Sequence, residues 1–199
     1  MFCDLGFYLI TKTENAALLE NRRDGIKKFI ASLENANSSS SSGCIVANCN
    51  PFTYGHQYLM EYAASKCELL HVFVLSEDRS LFPTDVRMDL VKKGVSHISN
   101  IIVHPTSDYL ISSATFPDYF IKDKNKAQDI NCELDLKVFA EHFAPALNIR
   151  KRFVGTEPTC MTTSSYNNQM KDILPAYGID VIEIPRKEAD GQAISASIV

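Results

Sequence analysis

The sequence has no apolar run approaching the roughly 18 uninterrupted residues that a bilayer-spanning helix requires, so no membrane partner is expected. It also lacks an excess of positive charge. Its 20 Lys and Arg stand against 24 Asp and Glu, a net charge of −4, which argues against a duplex-DNA binder and leaves no nucleic-acid partner expected. The six cysteines (Cys3, Cys44, Cys49, Cys67, Cys132 and Cys160) include no CxxC pair and no histidine at metal-ligand spacing. Neither a disulfide framework nor a protein-held metal is therefore expected, and free thiols in a reducing, cytoplasmic setting follow. Asp4 and Lys12 break the short apolar run at the N-terminus, which lacks the pattern of a signal peptide. No Walker loop and no GxGxxG loop occurs.

What is present is the balance of an ordinary globular chain, 45% hydrophobic and 22% charged over 199 residues. That length supports one full domain with a core, plus a short appendage. Residues 1–36 read as a strand-like FYLITKT followed by a helix over ENAALLENRRDGIKKFIASLENA, too little to bury a core alone. This piece is either docked on the main domain or the tail of an upstream one. Residues 37–43, NSSSSSG, read as a flexible linker.

From Cys44 onward, short continuous apolar strands alternate with amphipathic helices. Strands are expected at 44–48, 69–76, 100–104, 150–155 and 179–185, with helices at 56–66, 83–97, 131–144 and 164–178. Strands apolar on both faces, joined through helices, form a parallel sheet covered on both sides, so the fold class is a doubly wound α/β domain with five strands. Ligands of such sheets sit beyond the carboxyl ends of the strands.

The loops there carry the least generic residues. Asn50-Pro51-Phe52-Thr53-Tyr54-Gly55-His56 follows the first strand and opens a helix. Gly55 allows close backbone approach, and a helix N-terminus offers free N–H groups to phosphate. Thr53 and His56 add a hydroxyl and an imidazole three residues apart. For this loop alone, a Thr cap with a surface histidine is the simpler alternative. Arg79 and Arg87 after the second strand have the chemistry to bind a polyphosphate, or else are an ordinary ion pair and a solvated helix charge. Ser195 and Ser197 in the final ISASIV run, below Arg186 and Lys187, form a second anion cradle or a capped helix start. Ser112, Ser113, Thr115, Tyr119 and Lys122 offer groups for a small carboxylate, unless their aromatic neighbours merely pack the loop. Cys49, His71 and His104 read as buried structural residues.

Taken together, TxGH after the first strand, a basic residue after the second and ISxS after the fifth resemble the nucleotidyltransferase superfamily. Longer runs, NCNPFTYGHQYL, HVFVLSEDRSLFP, HPTSDYLISSATFPDYFIKD, VGTEPTC and IEIPRKEADGQAISAS, resemble the citrate lyase ligase family. The front segment is similar to the end of that family's acetyltransferase-like domain. The resemblance implies that residues 1–36 are the remnant of that domain and that 44–199 form a Rossmann-like nucleotidyltransferase domain. It implies ATP with Mg²⁺, activation of acetate as acetyl-AMP, and release of pyrophosphate. The acetyl group then passes to the thiol of the phosphoribosyl-dephospho-CoA group on the acyl carrier subunit of citrate lyase, with release of AMP. Carried over by position, His56 and Thr53 contact the phosphates and Arg79 stands near the acceptor. Asn50, Phe52, Gly55, Arg87, Gly155, Glu157, Ser195 and Ser197 line the nucleotide.

The chain departs from the family pattern at Ile198, where the family has Arg, and ends at Val199, where the family continues. Two further readings stand beside the ligase. One is another adenylyltransferase, such as one acting on phosphopantetheine, although Asp78-Arg79 stands where a lysine-rich loop would be expected. The other is a truncated, non-catalytic nucleotide-binding form.

Overall fold

The structure, a computed structural model, describes residues 2–33, 41–76, 81–112, 128–157, 160–186, 188–189 and 192–193. Its centre is a five-stranded, wholly parallel sheet: β3 (Ser42–Ala47), β4 (Leu69–Val74), β5 (Ile101–Pro105), β6 (Ile149–Gly155) and β7 (Asp180–Ile184). The order across the sheet is β5-β4-β3-β6-β7. The chain builds outward in one direction from β3, then returns to its other side with β6. This reversal is the topological switch, and it opens a crevice at the carboxyl ends of β3 and β6.

Side-chain alternation along the strands splits the core in two. Ile45, Val72, Val74 and Phe153 face α2 (Tyr54–Ala64) and α3 (Thr84–Gly94), meeting Met60, Ala63, Val91 and Val95. Cys44, Phe73 and Ile149 face the other way, against α4 (Gln128–Val138) and α6 (Met161–Ile173). A π-helical turn, Phe139–Phe143, leads from α4 into the short α5 (Ala144–Ala146). The wider turn lets Phe139, Ala140 and Phe143 all bury on this face, where the sequence spacing predicts one unbroken helix.

β3 begins inside the stretch expected to be linker. Ser42 is buried and donates its N–H to Asn148 O at 2.9 Å. Gly43 fits because a Cβ there would meet Phe153 at 2.7 Å and Cys67 Sγ at 2.8 Å. Only a residue without a side chain lets β3 lie this close.

The front segment corrects the helix expected over residues 14–36. Ala17–Glu20 is β2, paired antiparallel with β1 (Tyr8–Lys12), and α1 occupies only Gly25–Ser32. Thr13 Oγ1 accepts the N–H groups of Asn15 and Ala16, which turns the chain into a hairpin. The Glu20 carboxylate then accepts the N–H groups of Gly25 and Ile26, satisfying the start of α1. The segment is docked. Leu18, Ile26 and Leu33 join the α4/α6-side core, and Phe29 packs on Phe143 with ring centroids 6.2 Å apart. Tyr109 donates to Glu20 at 2.9 Å, and Lys137 donates to Lys12 O at 2.7 Å. Among the described residues no helix is long and apolar enough to cross a membrane.

Candidate active site

The crevice at the switch point is a cleft of about 320 Å³. Asn48, Thr53, Gly55 and His56 line it from the β3–α2 side, and Arg152, Gly155, Glu157, Tyr166 and Arg186 from the β6–β7 side. The structure thus brings together Thr53, Gly55, His56, Gly155 and Glu157 from separate loops. Arg79, Ser195 and Ser197 lie outside the described residues, as do Ser113, Thr115, Tyr119 and Lys122. Ser112 is buried and donates to Asp108 O at 2.6 Å.

Thr53 is the N-cap of α2, in extended backbone. His56 stands three residues on and closes back on it: Nδ1 accepts the Thr53 backbone N–H at 3.1 Å and lies 2.9 Å from its Oγ1. An Nδ1 that accepts a backbone N–H carries a lone pair, so the ring proton of the neutral imidazole sits on Nε2. Burial, aided by the nearby positive charge of Arg186, pushes the His56 pKa down to about 4. At neutral pH His56 is an uncharged donor at the start of a helix whose dipole favours anions.

Phe52 stacks on the His56 ring, centroids 6.0 Å apart and planes 22° from parallel. Space for Phe52 comes from Gly94 at the end of α3, where a Cβ would stand 2.2 Å from the ring. Asn50 holds the adjoining loop by accepting the Phe82 N–H at 3.0 Å. Cys49, just before Asn50 in sequence, is buried, and its thiol is pushed up to about 12 by burial, which removes it as a nucleophile.

Arg87, expected on the polyphosphate, is corrected by its burial. It is 0% exposed and does not line the cleft. Its Nε donates to Phe82 O at 2.9 Å, and Nη1 donates to Asn48 O, Asn48 Oδ1 and Leu75 O at 2.8–2.9 Å. Nη2 donates to Thr84 Oγ1 at 2.9 Å. The guanidinium pins the loops after β3 and β4 to each other from beneath.

Across the cleft, β6 ends at Gly155, where an added Cβ would meet nothing within 4 Å. Asn167 Nδ2 donates to its carbonyl at 3.1 Å. Glu157 forms an ion pair with Arg186, and its other oxygen accepts the Cys160 N–H at 3.0 Å. Arg186 Nε also donates to Thr156 O at 2.7 Å. Glu157 is therefore a loop anchor as well as a wall. Sequence reasoning passed over Arg186 as a site residue and missed Arg152. The signal for Arg152 was an arginine at an inward position of a buried strand, where charge is rarely tolerated. Among the described residues no group of three or more His, Cys, Asp or Glu is placed to hold a metal ion.

A five-stranded parallel sheet in the order β5-β4-β3-β6-β7, with its cleft at the switch point, defines a doubly wound, Rossmann-like α/β fold. Pantothenate synthetase from Thermus thermophilus shares the fold, with a TM-score of 0.52 at 14% identity over 86% of this chain and 64% of that one. Residues 42–199 match the citrate lyase ligase C-terminal domain family, and the chain belongs to that family. It is 43% identical to the citrate (pro-3S)-lyase ligase of Klebsiella pneumoniae, over 100% of this chain and 60% of that protein. The ligase of Haemophilus influenzae is 44% identical, over 100% of this chain and 62% of its own length. The chain thus spans about three fifths of these curated relatives.

Proposed function

We propose that the cleft binds ATP and activates acetate as acetyl-AMP, then acetylates the thiol of the phosphoribosyl-dephospho-CoA group on the acyl carrier subunit of citrate lyase. One observation carries this reading: the neutral His56, its Nε2–H left as donor by the Thr53 contact, at the N-terminus of α2 in the cleft. The family and the relatives named ligases of citrate lyase support the partner.

An acetate oxygen attacks the α-phosphorus of ATP, forming an O–P bond as the P–O bond to pyrophosphate breaks. The carrier thiolate next attacks the acetyl carbonyl, forming a thioester, and AMP leaves with the electron pair of the broken C–O bond. Neither step needs covalent help from the protein, so its contribution is position and charge stabilisation. His56 donates to the phosphates through Nε2 alongside the first free N–H groups of α2, Thr53 holds its ring through Nδ1, and Phe52 fixes the imidazole plane. Gly55 and Gly155 let the nucleotide approach the backbone on either side. Asn50 and Glu157 hold their loops in register, and Arg87 supports the first from beneath. Ser195, Ser197 and Arg79 take the remaining phosphates and the acceptor in this reading. Mg²⁺ would ride on the phosphates themselves, neutralising their charge.

Pyrophosphate–ATP isotope exchange tests the reading with acetate, with 4′-phosphopantetheine, and with neither. The expected result is exchange that requires acetate and drops about 100-fold or more in His56→Ala. Exchange supported only by 4′-phosphopantetheine, or full exchange in His56→Ala, would overturn it.

A further inference from the structure

Arg87 and Arg152 are both buried, and they differ in one respect. Arg87, 0% exposed, spends its guanidinium on oxygen acceptors from Asn48, Leu75, Phe82 and Thr84. Arg152, 3% exposed, has no described oxygen acceptor. Its Nη1 reaches only the Cys44 sulfur at 3.4 Å, its guanidinium lies 4.6 Å from the centre of the Phe139 ring, and its Nε–H has no partner among the described residues. A thiol is a weak acceptor and a ring face a partial one, so the buried cation is left short of negative charge.

Asp135, which shares Tyr166 as a neighbour with Arg152, makes its described hydrogen bonds elsewhere. Asp135, also buried, accepts the Ile111 N–H through Oδ1 and the Tyr166 hydroxyl through Oδ2, each at 2.6 Å. No described carboxylate makes an ion pair with Arg152. Asp135 instead fixes the Tyr166 ring and the Ile111 backbone, and both of those residues line the cleft beside Arg152.

We propose that Arg152 is the anchor of a small-carboxylate subsite at the α6 side of the cleft. One oxygen of the acid sits on the guanidinium, and the acid's short alkyl end lies against Val46, Ile111, Val154 and Met170, the apolar residues lining that side. The same cleft carries His56 at its other side, so the free carboxylate oxygen faces the place proposed for the nucleotide. The identity of the acid as acetate rests on the acetyl-adenylate reading above. The site itself is a carboxylate site whether or not that reading holds.

The test uses the full chain, Arg152→Met and Arg152→Lys, each first checked by thermal melting. Methionine fills the space with an apolar chain, a replacement that buried cations often tolerate. The first readout is the line width of [1-¹³C]acetate with protein, with and without a non-hydrolysable ATP analogue. Saturable broadening by the wild type and none by Arg152→Met is expected. The second is the exchange assay: KM for acetate should rise about tenfold or more, while KM for ATP stays within about twofold. Arg152→Lys, which keeps the charge but not the reach, should fall between and serves alone if the methionine variant does not fold. Equal broadening by both proteins, absence of broadening by the wild type in either condition, or a parallel change in both KM values would overturn the subsite. Acetate bound through Arg152 without acetate-dependent exchange would instead overturn only the acetyl-adenylate reading.

Discussion

His56 accepts the backbone N–H of Thr53 through Nδ1, at 3.1 Å, and so the first turn of α2 decides which nitrogen of the imidazole is left to donate. A capping box ordinarily satisfies two helix-end groups and nothing more. Here the residue that closes the box is also the one facing the cleft. The contact that closes the helix end also orients the imidazole that lines the cleft.

Burial of three histidines sets a pH dependence. His56, His71 and His104 are each held at about 4, all chiefly by burial, against an ordinary 6.5. Where the unfolded chain takes up protons and the folded one does not, stability falls as pH falls, here from about 6.5 down to about 4. His71 and His104 form a buried pair, Nδ1 to Nε2 at 2.9 Å. Circular dichroism should show a Tm that these groups leave nearly flat above pH 7 and that falls steeply as pH drops below about 6. A His71→Gln/His104→Gln double variant should start less stable and lose much of that slope, since each titrating group contributes at most about 1.4 kcal/mol per pH unit.

Arg87→Met should be severe, unlike Arg152→Met. It strips the donors from the carbonyls of Asn48, Leu75 and Phe82 at once. Each buried acceptor so abandoned costs about 1–3 kcal/mol. Urea unfolding should show a loss of about 3 kcal/mol or more, and Arg87→Lys should recover little of it because three donors on a point charge cannot span these acceptors. A loss under about 1 kcal/mol would mean that the loops after β3 and β4 stand without the pin.

Gly94→Ala should act on the site without touching it. The new methyl would fall 2.2 Å from Phe52 and push that ring off His56. Overpacking of this kind costs about 1–3 kcal/mol. If the clash is the cause, Gly94→Ala/Phe52→Leu should be more stable than Gly94→Ala alone, read by thermal melting. Additive losses would assign the effect to helix α3 instead.

The thiols should sort by burial. Cys3 and Cys160 are exposed, whereas Cys44, Cys49 and Cys132 are buried, and burial pushes Cys44 up to about 11 and Cys49 up to about 12. Titration with a disulfide reagent at pH 8 should consume the two exposed thiols quickly and the three buried ones only after denaturant is added. Rapid reaction of Cys49 in the native protein would show that the first loop opens.

Much of this was legible in the one-dimensional pattern. Five strands reading as continuous apolar runs could only lie inside a two-faced sheet, and the TxGH loop had to fall at a carboxyl end because it follows the first of them. Residues 14–24 were misread because ENAALLE carries helical composition. What overrides it is side-chain-to-backbone bonding that helical composition conceals: the Thr13 turn, and the Glu20 carboxylate that accepts the N–H groups of Gly25 and Ile26.

The arginines mark the boundary more sharply. Sequence determined that Thr53, Gly55 and His56 share a helix start, since helical spacing fixes their relation whatever surrounds them. It did not determine what a guanidinium meets. Arg87 stands on an amphipathic helix among charges and turns inward because two loops present it with carbonyl oxygens. Arg152 stands in a strand and has no oxygen partner among the described residues, while Asp135 accepts from Ile111 and Tyr166. Both outcomes depend on acceptors brought in from distant parts of the chain, and only the tertiary structure decides where those lie.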